Sequence, residues 1–95
     1  MLTPTLSVPA FPIGMQGPEL IDGQMVDPGS WLGFLNIFNM TGQPALSVPA
    51  GFTEGGLPVG LQIVGPHLGD ADVLRAGSCF ERARPWHDRW PDFPR

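Results

Sequence analysis

The stretch NMTGQPALSVPAGF, residues Asn39–Phe52, sets two prolines and two glycines among small and apolar residues and carries no charge. Ala45–Gly51 within it has the length and apolar content of a strand, and Val59–Val64 (VGLQIV) reads as a second. The intervening FTEGGLP supplies Gly55, Gly56 and Pro58, the residue types of a hairpin connection. Both runs are mostly apolar, with Gln62 the one polar residue of the second, so the pattern predicts strands buried on both faces. A buried Gln62 then needs a hydrogen-bond partner. A lone hairpin is marginal in water, so these strands call for neighbours.

Gly42 is placed to end a helix as its C′ residue. Before it lies WLGFLNIFNM, Trp31–Met40, apolar nearly all round, which predicts a short helix or turn buried on more than one side. Ser30 is its candidate N-cap. Residues Leu6–Gly29 hold four prolines and four glycines and sustain no period of 2 or 3.6, so they read as a long connector wrapping over something. Met1–Thr5 fits a short strand that Pro4 confines to an edge or an end.

Downstream, Asp70 is the candidate N-cap of a helix over Ala71 to about Arg84. Val73, Gly77, Phe80 and Ala83/Arg84 mark one face, with Leu74, Ala76 and Cys79 close to it. Asp72 near the start and Arg82 and Arg84 near the end suit the helix dipole. Pro85 stops the helix, and the tail PWHDRWPDFPR is expected to pack back in extended form. The class is α/β: strands near 1–5, 45–51 and 59–64, a helix near 71–84, and a long Pro/Gly-rich connector.

Ninety-five residues make one domain, 1–95, with no second domain expected. Gly and Pro number 13 and 12, about a quarter of the chain, so regular elements are few. The net charge of −4 argues against a nucleic-acid partner. All the basic residues are arginines, Arg75, Arg82, Arg84, Arg89 and Arg95, and lysine is absent from the chain. One cysteine rules out an internal disulfide or a multi-cysteine zinc site, and Cys79 reads as a small buried hydrophobe. No run is long and apolar enough to cross a membrane, and the proline-broken start lacks the basic flank of a signal peptide. A cytoplasmic location without membrane attachment is the expectation.

Candidate chemistry is sparse. His67 with Asp70 and Asp72 lacks the second His or Cys that a metal site usually supplies, and reads as a polar loop and helix cap. His87–Asp88 are adjacent and poorly placed for a triad, so surface polarity explains them better. Ser7, Ser30, Ser47 and Ser78 lie in neither a G-x-S-x-G nor an S-x-x-K context. TEGGLPVG lacks the Gly-Lys-Ser/Thr ending of a phosphate loop. Nucleophile, base and oxyanion hole are not assembled from these residues.

Taken together, FNMTGQPALSVPAGFTEGGLPVGLQIVGPHLGDADVLRAGSCFERARPW, residues Phe38–Trp86, resembles the C-terminal part of the amidase signature family. The shared features are Asn-x-Thr/Ala-Gly-x-Pro-Ala, a Pro-x-Gly turn, then Leu-Pro-x-Gly-x-Gln and a closing helix. MLTPTLSVPAFPIG, Met1–Gly14, resembles the strand and Pro-rich stretch that precede these motifs. The resemblance implies a region of a large α/β/α fold around a mixed sheet. It implies amide hydrolysis, or ammonia transfer within glutamyl-tRNA amidotransferases, by a Ser–cis-Ser–Lys device that uses no cofactor. That lysine and the Gly/Ser-rich signature belong upstream of the region seen here, so these residues are not expected to catalyse alone.

In resembling enzymes the segment before Asn39 borders the substrate pocket, which makes Trp31, Leu32 and Phe34 the substrate-binding candidates. Without an acid or base there, an apolar or aromatic acyl group is the implied substrate part; the other reading of these side chains is plain core. Ile37 stands where the family commonly has proline. The implied partner is an amidase N-terminal part. The alternative is an interaction module that self-associates, or docks to a full-length amidase, through its unpaired apolar strands.

Overall fold

Thr53–Gly56 form the tight turn that organises the molecule: Gly56 N–H donates to Thr53 O (3.0 Å), and Gly56 has a φ of 84° that favours glycine. The computed structural model describes residues 1–92. The turn joins two long antiparallel strands whose pairing runs from Ala45↔Val64 to Phe52↔Pro58. In chain order the elements are β1 (Leu2–Pro4), β2 (Leu20–Ile21), β3 (Gln24–Met25), a 3₁₀ turn (Ser30–Leu32), α1 (Gly33–Thr41), β4 (Ala45–Phe52), β5 (Pro58–Val64) and α2 (Asp70–Ala83). The main sheet has the order β1-β5-β4, antiparallel throughout. A bulge at Ala50 shifts the register between Pro49 and Gly51.

Side-chain alternation gives this sheet two unlike faces. Leu46, Val48, Leu61 and Ile63 form one, and with Val73 and Phe80 of α2 and Trp86 they make the hydrophobic core. Gly77 lets the helix approach: a Cβ there would run into Leu46 Cδ2. Thr3, Thr5, Ser47, Gly60 and Gln62 fall on the other face. Thr5 and Ser47 share a hydroxyl hydrogen bond (2.7 Å), and a Cβ on Gly60 would sit 2.7 Å from the Thr5 hydroxyl oxygen.

Several expectations change. Burial on both faces is confined to the end of β5, where the successive residues Gln62, Ile63 and Val64 are buried; in β4 only Val48 is. Among the residues of α1 only Phe38 is buried, whereas Ile37 and Met40 are 54% and 87% exposed. The sequence pattern marks these surfaces as apolar, but the described residues supply nothing that covers them. Ser30 makes no side-chain cap bond; Gly29 occupies the cap of a 3₁₀ turn in which Leu32 N–H donates to Gly29 O (3.1 Å). Gly42 does end α1, with φ 72° and its N–H on Phe38 O.

At α2 the cap is Gly69, whose carbonyl accepts from both Asp72 and Val73, so Asp70 lies inside the first turn. Cys79 is exposed rather than buried, because Val73 and Gly77 set the inward stripe and Cys79 lies off it. The 6–29 connector contains the β2–β3 hairpin, built on Asp22 and Gly23 with φ of 52° and 74°; this Asp-Gly pair is the local signal for a two-residue turn. The tail turns at Trp86–Arg89, with Arg89 N–H on Trp86 O (3.0 Å), instead of running extended. Its last residues, 93–95, lie outside the described residues.

The surface is large for the mass. A self-contained monomer of 10.2 kDa exposes about 5,300 Å² by size scaling; this chain exposes 7321 Å². Its radius of gyration is 15.1 Å, against about 12 Å for a compact domain of the same length.

The close approach at Gly77 yields a direct stability test. Gly77→Val is expected to lower unfolding stability by about 2 kcal/mol through overpacking against Leu46, while Ser78→Ala, on the exposed side, stays within about 0.5 kcal/mol. Urea denaturation of both variants checks it; equal midpoints would show that the helix is not docked on Leu46.

Candidate functional site

From Pro28 to Thr53 the chain carries no charged side chain. The three candidate residues lie at the head of this run, where the 3₁₀ turn passes into α1. Trp31 is half-buried and held from three sides. Its indole N–H donates to Gln16 O (2.9 Å), its carbonyl accepts from Ser7 N–H (3.3 Å), and its ring meets Phe11 edge-on at 5.2 Å between centroids. A Cβ on Gly17 would collide with the Pro28 carbonyl oxygen and lie 2.7 Å from Trp31 Cδ1. The connector therefore wraps over Trp31.

Leu32 is half-buried, and Phe34 is 37% exposed in the first turn of the helix. The Phe34 carbonyl is tied to the sheet: Gln62 Nε2 donates to it (2.9 Å) and to Thr3 Oγ1 (3.0 Å). The buried Gln62 thus has the partners that its position demands. The structure brings Trp31 to the connector and Phe34 to the polar face of the sheet. Both anchors come from segments distant in sequence, and the pattern around residues 31–34 carries no signal for them.

No reactive constellation accompanies this segment. Ser47 Oγ is bonded to Thr5, not to a base. Among the described residues, no grouping of three His, Cys, Asp or Glu side chains is placed to hold a metal ion. Asp72 pairs with Arg75 (2.7 Å) on the exposed side of α2. His87 and Asp88 are exposed in the tail, where the His87 carbonyl accepts from the Trp90 indole (2.8 Å). A second feature, which no sequence pattern signals, is an open groove between Pro49–Phe52 and the tail. Arg89 stacks over Phe52 at 4.3 Å, and Trp86 lies 6.3 Å from Phe80 between ring centroids.

These residues can shape and anchor a pocket wall, and supply neither nucleophile nor proton donor. A family model described as Amidase matches residues 1–74, from β1 into the first turns of α2. The chain belongs to the amidase family. It is 44% identical to an acylamidase of Rhodococcus erythropolis over 96% of this chain and 19% of the relative. It is 41% identical to the A component of the glutamyl-tRNA(Gln) amidotransferase of Thermodesulfovibrio yellowstonii over 96% of this chain and 18% of that protein. The crystal structure of a bacterial aryl acylamidase of the amidase signature family superposes with a TM-score of 0.78 at 40% identity, over 92% of this chain and 18% of that one. The chain thus spans about a fifth of the length of the relatives it matches. No helix among the described residues is long and apolar enough to cross a membrane.

The clamp on Trp31 is testable in this amidase-family chain. Gly17→Ala, which forces the connector off Pro28 and Trp31, is expected to shift the Trp31 indole N–H resonance and speed its hydrogen exchange at least about tenfold, the loss of roughly one hydrogen bond. The Trp90 indole is the internal control. Unchanged exchange at Trp31 would mean that the connector does not grip it.

Proposed function

We propose that these residues form the C-terminal region of an amide-hydrolysing amidase and wall the acyl side of its substrate pocket. The observation that carries this reading is a family match over most of the chain with coverage of only about a fifth of each relative. The exposed apolar side of α1 and the excess surface support it, since both suit a chain whose neighbours in the fold come from other residues. The reaction is cleavage of a carboxylic amide by water to a carboxylate and an amine.

Catalysis by the family's Ser–cis-Ser–Lys device needs a lysine, and these 95 residues contain none. The nucleophile, the linking serine and the lysine are therefore assigned to an amidase N-terminal part, the proposed partner; the device calls for no cofactor. Leu32 and Phe34 face the acyl group, and Trp31 holds the segment in place. With no charge from Pro28 to Thr53, the preferred acyl group is apolar or aromatic. A cytoplasmic location, with neither nucleic acid nor membrane as partner, completes the reading.

A second reading is that the same apolar surfaces pair with another copy of this chain or with a full-length amidase, as an interaction module. The open faces of α1 and the sheet favour it. Complementation separates the two. The purified chain alone is expected to give no turnover of an aryl amide. Mixing it with an amidase polypeptide that carries the serines and lysine but lacks the corresponding region is expected to give measurable turnover, lost when that lysine is replaced. No turnover in the mixture, with a stable dimer of the 95-residue chain by light scattering, would instead establish the module.

A further inference from the structure

Gln62 is the one buried polar side chain among the described residues, 3% exposed, at the middle of the central strand. Its amide orientation follows from its neighbours. The Thr3 hydroxyl donates its single hydrogen to Pro4 O (3.0 Å), so toward Gln62 it acts as acceptor. The Phe34 carbonyl is an acceptor only. The group that faces both must be the NH₂, and its two hydrogens are both used. Among the described residues this is the one side-chain hydrogen bond between the sheet and α1.

We propose that Gln62 is a positioning residue for substrate selection: by holding the Phe34 carbonyl, it sets how far the Leu32–Phe34 turn stands from the sheet, and so the size of acyl group admitted. The proposal rests on the amidase reading above. Phe38 is the only buried side chain of α1, and the Trp31 anchors hold the preceding turn to the connector rather than to the sheet, so Gln62 supplies the side-chain tie that sets the height of the helix on the sheet. The distance of the Phe34 carbonyl from the sheet follows the length of the residue-62 side chain. Met at position 62 keeps that length but donates no hydrogen bond, leaving the turn free to move. Removing the Thr3 hydroxyl instead takes the acceptor from one Gln62 hydrogen and loosens β1, while the Phe34 carbonyl remains to accept the other.

The test compares Gln62→Met and Thr3→Val in the assembled enzyme, using benzamide and acetamide. Gln62→Met is expected to raise KM for benzamide about tenfold, the scale of one lost hydrogen bond. For acetamide, kcat and KM should stay within about twofold. Thr3→Val is expected to lower thermal stability and leave the benzamide-to-acetamide ratio unchanged. Equal losses on both substrates, or the same selectivity change in Thr3→Val, would overturn the proposal and leave Gln62 a purely structural residue.

If the wild-type assembly turns over neither substrate, the amidase reading fails, and the positioning claim is decided on the 95-residue chain itself. There the carbonyl ¹³C resonance of Phe34 should move in Gln62→Met and stay in place in Thr3→Val. An unmoved Phe34 carbonyl in Gln62→Met would sink it.

Discussion

The buried carboxamide of Gln62 is the constraint on which the arrangement of this chain turns. A sheet with one apolar and one polar face can cover the apolar side with α2 and leave the other to water. Here the polar side is used instead: Thr3, Thr5, Ser47 and Gln62 bond to one another's strands or to α1. An amide buried with both hydrogens satisfied stabilises modestly, but leaving it unsatisfied costs about 1–3 kcal/mol. That asymmetry makes the α1 position specific, since moving the helix away takes the Phe34 acceptor from one of the two Gln62 hydrogens.

The two sides of the sheet are held by different physics. On the α2 side, burial of Val48, Ile63 and Val73 is non-directional, and Gly77 removes the one obstacle to close approach. On the α1 side, contact is made through directional bonds with little apolar burial, Phe38 excepted. The helix that bears Phe34 is thus oriented by hydrogen bonds while much of its apolar surface stays open. The role proposed for this segment, a pocket wall, calls for an open apolar surface of this kind.

The excess surface is a property of particular residues. Met40, Ile37, Leu74 and Leu2 are each more than half exposed, and none has the composition of a solvated face. The run from Pro28 to Thr53, which holds Ile37 and Met40, carries no charged side chain of its own.

Local chemistry was legible in the sequence and sufficed for the elements. Gly42 ending α1, Gly55–Gly56 turning the hairpin, and the span of α2 all follow from backbone freedom, capping and periodicity, which depend on near neighbours in the chain. So did the need of Gln62 for partners, and the family motifs themselves. The Asp22–Gly23 turn was equally local, but its strands of two residues are too short to show a period. Tertiary structure alone decided which surfaces are covered. The exposure of Cys79 and the open side of α1 depend on which neighbours the fold supplies, and the clamp on Trp31 by Gln16 and Phe11 and the tie between Gln62 and Phe34 join segments 15 to 28 residues apart in sequence. Burial belongs to a residue's neighbours, and a sequence pattern records only that a side chain would gain from having them.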